Sequence, residues 1–151
     1  MIAIDTNILV YAHRSDSPWH DAAALCIREL AEGASAWAIP WPCIHEFLAI
    51  VTHRRIFAPP SPLSKALEQV DAWLESPTVV MLSETDGYLT TLTQLLSTSK
   101  VSGPKVHDAR IAALCIHSNV RELLTADRDF SRFGSLRTRN PLALMVNSPA
   151  A

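Results

Sequence analysis

The sequence predicts a single-domain α/β fold with a central, mostly parallel sheet of about four to five strands. Short apolar segments alternate along the chain with amphipathic segments of helical length. This alternation is typical of a parallel sheet that helices cover on both faces. With 151 residues, of which 48 % are hydrophobic and 19 % charged, the chain can bury a substantial core and is too apolar to be disordered.

The strands are predicted where a short apolar run ends at a turn or at the start of a helix. Such runs are shorter than a stable helix, and their continuous apolar character favours strands that are buried on both faces. The predicted strands cover residues 1–5, 36–39, 79–82, 123–125 and 136–137.

The helices are predicted from apolar residues that recur three and four positions apart. In the segment 63–74, for example, Ala66, Leu67, Val70 and Leu74 are in phase. Glycine ends one of these patterns, and proline stands in the first turn of others, where it is tolerated. In chain order the predicted helices cover residues 6–14, 18–32, 42–52, 63–74, 84–96 and 103–117.

The chain contains no internal repeat and no linker that would divide it. The prolines of the segment 57–62 forbid regular structure and predict a loop. We therefore expect one domain at 1–141, followed by a loose C-terminal tail at 142–151.

Charge and cysteine content limit the possible function classes. The formal net charge of −2 does not identify a nucleic-acid-binding protein, but 8 of the 13 lysines and arginines lie between Lys100 and Arg139, so a basic rim can be hidden. The cysteines Cys26, Cys43 and Cys115 form no C-x-x-C pair, and we expect buried free thiols in a reducing compartment. No signal peptide or membrane-spanning run is recognised, which predicts a cytoplasmic protein without a membrane partner.

Five acidic residues stand among apolar neighbours at comparable places in the predicted fold. Asp5 ends the first strand, and Asp127 and Asp129 follow the fourth. Glu46 lies in the first half of its helix and Asp108 in the first turns of its own, and helix N-termini after parallel strands point to the same edge of the sheet. Because ligands bind at the carboxyl ends of parallel strands, we expect these acids to converge on one site.

Each acid also has a simpler interpretation. Asp5 could cap the helix that follows it, and Asp108 could interact with the dipole of its own helix. Asp127 and Asp129 could form an Asx turn, and Glu46 could be the exposed edge of an amphipathic helix. Only the joint placement of the five favours a functional site.

Clustered carboxylates need a cation or protons. Two unit charges about 4 Å apart repel by about 4 kcal/mol at an effective dielectric constant near 20. Ligand sets of oxygen alone favour hard cations, so Mg²⁺ is expected, with Mn²⁺ able to substitute. Such a centre can activate a water molecule and stabilise phosphate oxygens in an in-line displacement.

Four motifs in order resemble those of the PIN-domain ribonucleases. They are DTNILVYA at 5–12, HEFL at 45–48, HDARIAAL at 107–114 and LLTADRDF at 123–130. Within that family the chain is similar to the VapC toxins of type II toxin–antitoxin pairs, especially the mycobacterial-type subfamily. The resemblance extends from residue 2 to about residue 141.

This resemblance implies a Mg²⁺- or Mn²⁺-dependent endoribonuclease with an acidic pocket on an α/β/α sandwich. A metal-activated water would hydrolyse RNA phosphodiesters. The catalytic and metal-binding acids of the family match Asp5, Glu46, Asp108 and Asp127, and Asp129 matches an acid that some members add to the metal site. Polar positions that orient ligands or water in the family match Thr6, Asn7 and Thr125.

The resemblance also implies partners. A VapB-type antitoxin would insert a basic residue into the acidic pocket, and the toxin would form a homodimer. RNA would lie along the basic rim, where each arginine could equally be an ordinary surface charge. The candidate phosphate contacts are Arg110, Arg128, Arg132, Arg137 and Arg139.

Alternative functions remain open at this point. The chain could be a non-catalytic PIN-fold module that binds RNA. A phosphatase of the haloacid-dehalogenase type would also place an aspartate after the first strand, but its second aspartate is replaced by Asn7. A zinc peptidase would need a histidine where Ala49 stands.

Overall fold

The computed structural model describes residues 1–142, and its sheet has five strands, all parallel, in the order β3-β2-β1-β4-β5. This confirms the predicted sheet. The strands are β1 (Ile2–Ile4), β2 (Trp37–Pro40), β3 (Val79–Leu82), β4 (Glu122–Leu124) and β5 (Thr138–Arg139).

Six helices connect the strands and cover the sheet. Successive residues of the central strands, such as Ala3 and Ile4 in β1 and Leu123 and Leu124 in β4, are all buried, so both faces of the sheet are covered. The helices are α1 (Thr6–His13), α2 (His20–Glu32), α3 (Trp41–Val51), α4 (Leu63–Leu74), α5 (Tyr88–Ser99) and α6 (Val106–His117).

Two short 3₁₀ turns complete the description of the chain. One, at Gly103–Lys105, leads directly into α6, and the other, at Arg128–Arg132, follows β4. Both turns lie close in sequence to candidate acidic residues: the first precedes Asp108, and the second begins directly after Asp127 and contains Asp129. They therefore help to position the candidate site.

The bounds of α4 and β3 agree with the prediction, whereas those of α5 and β5 were predicted wrongly. The helix α5 begins at Tyr88 rather than at 84, because Gly87 adopts a left-handed conformation (φ 86°) directly before it. The predicted strand at 136–137 is also displaced. The backbone N–H of Leu136 still donates to Phe133 in a turn, and pairing with β4 begins only at Thr138.

The cysteines fit the expectation in part. All three are free thiols; Cys43 and Cys115 are buried, but Cys26 is only half-buried. Burial raises the pKa of the Cys115 thiol to about 12, with a further contribution from nearby Asp5, so this thiol stays protonated.

Two expectations concern the chain as a whole. The tail expected at 142–151 lies, apart from Leu142, outside the described residues. Over residues 1–142, no helix is both long enough and apolar enough to cross a membrane.

Candidate active site

Asp5 is a buried carboxylate at the carboxyl end of β1, where only 4 % of its surface is exposed. It is the N-cap of α1, since its Oδ1 accepts a hydrogen bond of 2.8 Å from the backbone N–H of Thr6. Its Oδ2 accepts a hydrogen bond of 2.7 Å from the hydroxyl of Thr125. The capping interpretation is therefore correct, yet it accounts for only one of the contacts of this side chain.

The environment of Asp5 favours the protonated form. Burial raises the pKa of Asp5 to about 6, because the cost of burying the charge exceeds what the hydrogen bonds from Thr125 and Thr6 recover, and the nearby carboxylate of Glu46 adds a smaller upward contribution. A cation bound beside it would lower this pKa again, because it would stabilise the ionised form. The carboxylate thus has the electrostatic character expected of a ligand for a positive ion.

Glu46 is brought to Asp5 by the helix α3. The hydroxyl of Thr6 donates a hydrogen bond of 2.6 Å to Oε2 of Glu46. Because Thr6 directly follows Asp5, its backbone and its side chain connect the two carboxylates. We call Asp5 and Glu46 the inner pair.

The other three acids form a second group. Each of Asp108, Asp127 and Asp129 offers a carboxylate oxygen that lies within 4.8 Å of the corresponding oxygens of the other two. Asp108 comes from the first turn of α6, and the other two come from the turn after β4. We call these residues the outer trio, which does not include either member of the inner pair.

Asp127 also has the simpler role that the sequence suggested. Its Oδ1 accepts a hydrogen bond of 2.8 Å from the backbone N–H of Asp129, and it is the N-cap of the 3₁₀ turn. This hydrogen bond uses Oδ1 of Asp127 and leaves Oδ2 outside the cap. The turn therefore fixes the orientation of this carboxylate.

Thr125 and Asn7 connect the two acidic groups. The hydroxyl of Thr125, which donates to Asp5, also accepts a hydrogen bond of 3.0 Å from the backbone N–H of Asp127. The amide of Asn7 donates to Asp5 and to Thr125, each at 3.3 Å, and its carbonyl oxygen accepts from the backbone N–H of Ala126 at 3.1 Å. These hydrogen bonds join the inner pair to the turn that carries Asp127 and Asp129, so the two acidic groups lie at the same edge of the sheet.

Two side chains at this edge were missed by sequence reasoning. The ammonium of Lys105 hydrogen-bonds to Asp129 and lies 3.6 Å from Oδ2 of Asp108. The buried thiol of Cys43 donates to Oδ1 of Asp5 over 3.7 Å. The sequence could have predicted the contact between Lys105 and Asp108, since residues three positions apart at the start of a helix are neighbours.

The Lys105 contact changes the electrostatics of Asp129. The hydrogen bond and the charge of Lys105 hold the pKa of Asp129 below its usual range, whereas the carboxylate raises the pKa of Lys105. The side chains of Lys105 and Asp129 are 41 % and 47 % exposed, so water screens this pair. Within residues 1–142, a lysine thus stands beside the outer trio, whereas no lysine or arginine forms an ion pair with the inner pair.

The five candidate RNA-binding arginines do not lie together. Arg128 and Arg132 belong to the 3₁₀ turn that carries Asp129, so they border the acidic edge. Arg110 is paired with Glu84 at 2.9 Å, on the helix that carries Asp108. Both Arg137 and Arg139 are instead paired with Glu122, at the amino end of β4, away from the acids.

The candidate ligand atoms that the five acids offer are all carboxylate oxygens, and the thiol of Cys43 beside them is buried and protonated. This donor set fits a hard divalent cation better than zinc, which prefers nitrogen and sulfur. The residues that could hold such an ion are the outer trio together with Asp5 and Glu46.

Comparisons with known proteins agree with this architecture. The family model of the PIN domain matches residues 2–136 of the chain. The ribonuclease VapC43 of Mycobacterium tuberculosis (strain ATCC 25618 / H37Rv) is 34 % identical over 142 residues, which cover 94 % of this chain and 96 % of VapC43.

Two solved structures share the fold. The chain superposes with a TM-score of 0.66 and 20 % identity on VapBC2 from Rickettsia felis bound to a DNA fragment of its promoter, over 93 % of this chain and 98 % of that one. It superposes equally well, with a TM-score of 0.66 and 17 % identity, on Mycobacterium tuberculosis VapC20, a toxin that cleaves the sarcin-ricin loop, over 93 % and 100 % of the two chains. The chain therefore belongs to the PIN-domain family and, within it, to the group of the VapC ribonucleases.

Proposed function

We propose that this protein is the toxin of a VapBC-type pair and acts as a divalent-metal-dependent endoribonuclease. The observation that carries the proposal is the convergence of the inner pair and the outer trio at the carboxyl edge of the sheet. A VapC ribonuclease that is 34 % identical over nearly its whole length supports it. The catalytic unit would be residues 1–141, a span that includes the family match at 2–136.

Mg²⁺ is the proposed cofactor, and Mn²⁺ would substitute for it. When bound, such an ion lowers the pKa of a coordinated water and neutralises charge on the phosphate. The carboxylates at the acidic edge fit this role because they offer oxygen ligands. Mg²⁺ bound by a few carboxylates keeps several water molecules, one of which could be the attacking water. The raised pKa of Asp5, about 6, supports it, since a buried carboxylate gains most from a neighbouring cation.

The residues of the chain would have distinct roles. Asp5 and Asp108 would hold the ion, with help from Glu46, Asp127 and Asp129. Thr6 and Thr125 would orient these carboxylates through the hydrogen bonds that they donate to Glu46 and Asp5. Asn7 would fix the distance between α1 and the turn after β4.

RNA would approach along the side of the acidic edge that carries Arg128 and Arg132. Both arginines are exposed and stand in the same turn as Asp129. Their guanidinium groups would contact backbone phosphates, which position the strand without reading its sequence. For Arg110, Arg137 and Arg139 the ion pairs with Glu84 and Glu122 give less support for this role.

A VapB-type antitoxin is the proposed protein partner. The Rickettsia felis relative was crystallised as a VapBC complex. A basic side chain of the antitoxin placed in the acidic pocket would replace the metal ion electrostatically and block cleavage. A homodimer in the cytoplasm, where RNA is present, is part of the same proposal.

The test is cleavage of total cellular RNA by purified protein, with Mg²⁺, with EDTA, and with the variant Asp5→Asn. We expect discrete fragments only with the wild-type protein in Mg²⁺. Asp21→Asn, at an exposed position of α2, is the matched control for loss of one aspartate and should cleave normally.

Two results would contradict the proposal. If Asp5→Asn cleaves as fast as the wild type, the site is wrongly assigned. If no protein cleaves any RNA but the wild type still binds it, the non-catalytic RNA-binding module is the better description.

A further inference from the structure

The two acidic groups differ in how their charge is balanced. Among residues 1–142, no lysine or arginine forms an ion pair with Asp5 or Glu46. The outer trio, in contrast, has the ammonium of Lys105, which hydrogen-bonds to Asp129 and lies 3.6 Å from Asp108. A cation of the chain itself therefore stands within the outer trio only.

The contact of Lys105 spans two separate elements. Lys105 precedes α6, and Asp129 belongs to the turn after β4, 24 residues further along the chain. Lys65 forms a simpler pair with Glu68 on α4, three positions away, and both side chains there are more than 60 % exposed. Lys105 thus holds together acids from two elements, which an ordinary pair on one helix does not do.

The backbone directs Lys105 toward the acids. Lys105 ends the 3₁₀ turn Gly103–Lys105, in which Gly103 adopts a left-handed conformation (φ 67°) and Pro104 has a fixed φ angle. Lys105 is also the N-cap of α6. The turn and the helix fix the backbone of Lys105, and from this position its side chain contacts the carboxylates of both Asp108 and Asp129.

We propose that Lys105 takes the place of a second divalent cation at the outer trio, so that the site binds one metal ion rather than two. This inference rests on the proposed metal-dependent function. Nucleases that use two metal ions hold them about 3.5–4 Å apart in shared carboxylates. A second ion shared by Asp108 and Asp129 would have to displace the ammonium of Lys105 from both carboxylates. The single ion then binds toward the inner pair, with which no lysine or arginine of residues 1–142 is paired, and Lys105 supplies the second positive charge next to the phosphate.

The test counts bound Mn²⁺ ions directly and does not depend on activity. The electron paramagnetic resonance signal of free Mn²⁺ is followed while the ion is titrated into protein at neutral pH. The wild type and Lys105→Gln are compared. Lys65→Gln is the matched control, because Lys65 also pairs with an acid three residues later. Lys105→Arg retains the positive charge.

We expect the wild type, Lys65→Gln and Lys105→Arg to bind one Mn²⁺ ion each. Lys105→Gln should bind a second ion, at least about tenfold more tightly than any second ion on the wild type. Circular dichroism is used to check that each variant is folded.

Three results would overturn the proposed role of Lys105 and leave the proposed metal site standing. They are two ions on the wild type, a single ion on Lys105→Gln, or a second ion on Lys65→Gln as well. A wild-type protein that binds no Mn²⁺ would instead overturn the metal site on which the proposed function depends. RNA cleavage by Asp5→Asn would refute that function without changing the ion count of the wild type.

Discussion

Asp5 accepts more hydrogen bonds than a helix cap requires. Its two oxygens receive donors from the backbone of Thr6 and from the side chains of Cys43, Thr125 and Asn7. Four donors around one carboxylate fix its orientation, which is what a metal ligand needs before the ion arrives. They do not compensate for burial, because the pKa of Asp5 remains raised, at about 6.

The raised pKa of Asp5 predicts that the metal-free protein is less stable to unfolding at high pH than at low pH. Folded Asp5, with a pKa of about 6, binds a proton more tightly than the unfolded chain does, so the free energy of unfolding falls as the pH rises from about 4 to about 6. Asp5→Asn lacks this titration. In EDTA at pH 8 the variant should gain about 3 kcal/mol relative to the wild type, and most of that gain should be absent near pH 4.5.

Urea denaturation at both pH values measures this effect. The difference between the two pH values cancels any pH-independent cost of the substitution itself. Asp21→Asn on α2 should show no comparable change between them. A stability difference for Asp5→Asn that is the same at both pH values would show that burial of the charge is not what destabilises the wild type.

Thr125 makes a second prediction at the residue scale. Its hydroxyl is buried, donates to Asp5 and accepts from the backbone of Asp127. Thr125→Val has nearly the same shape without the hydroxyl, and we expect Mn²⁺ affinity to fall by about 10–100-fold. Thr125→Ser retains the hydroxyl and should bind Mn²⁺ nearly as the wild type does. Equal Mn²⁺ affinity for all three proteins, measured by titration calorimetry, would remove Thr125 from the site.

At the scale of the elements, the helix α3 joins the core to the site. Glu46 points to Thr6, and the next residue, Phe47, is fully buried. The ring of Phe47 packs edge-on against His13 at 5.3 Å and against Trp73 at 4.9 Å, measured between centroids. The packing of α3 against α1 and α4 therefore decides where Glu46 lies.

Loss of this packing should be costly. Phe47→Ala removes a fully buried ring, and we expect it to lower the free energy of unfolding by about 3–5 kcal/mol. Leu67→Ala on α4 is the control, since Leu67 is 44 % exposed, and should change stability by less than about 0.5 kcal/mol. Urea denaturation of both variants measures the difference. Comparable losses for the two variants would show that α3 is not held by Phe47.

The parallel sheet explains at this scale why acids from distant segments meet. The strands β1 and β4 are neighbours, with Ile4 opposite Leu124. Asp5 and Thr125 directly follow these two residues and therefore come together. The turn after β4 then adds Asp127 and Asp129 at the same edge.

At the scale of the whole molecule, net charge is a poor guide to RNA binding. The formal net charge is −2, but Arg128 and Arg132 lie in the turn next to the acids. A bound cation at the acidic edge would make this region less repulsive to phosphates. The local distribution of charge is therefore what RNA would encounter.

Salt dependence of RNA binding tests this distribution. In the Asp5→Asn background, which should not cleave, Arg132→Ala should weaken RNA binding and reduce the slope of log K against log salt concentration by about 1. Arg139→Ala is the control, because Arg139 is paired with Glu122 at 2.9 Å, and should leave the slope unchanged. A slope that is unaffected by Arg132→Ala would place the RNA path elsewhere.

Local patterns in the sequence were sufficient for the architecture and for the positions of the acids. Four of the five strands lie within one residue of their predicted positions, because a short apolar run between turns leaves few alternatives. The start of α5 could not be predicted this way, since the left-handed Gly87 delays it. The strand β5 was misplaced because only pairing with β4 defines its two residues.

The sequence by itself determined which residues could carry the chemistry: carboxylates placed among apolar neighbours, where burial is costly unless a ligand compensates for it. The tertiary structure alone decided how these acids divide into an inner pair and an outer trio, and that Lys105 joins only the trio. The spacing of apolar side chains along a helix or strand indicates which face of that element is buried. Contacts such as that between Asp5 and Thr125, which are 120 residues apart, depend instead on how separate elements pack.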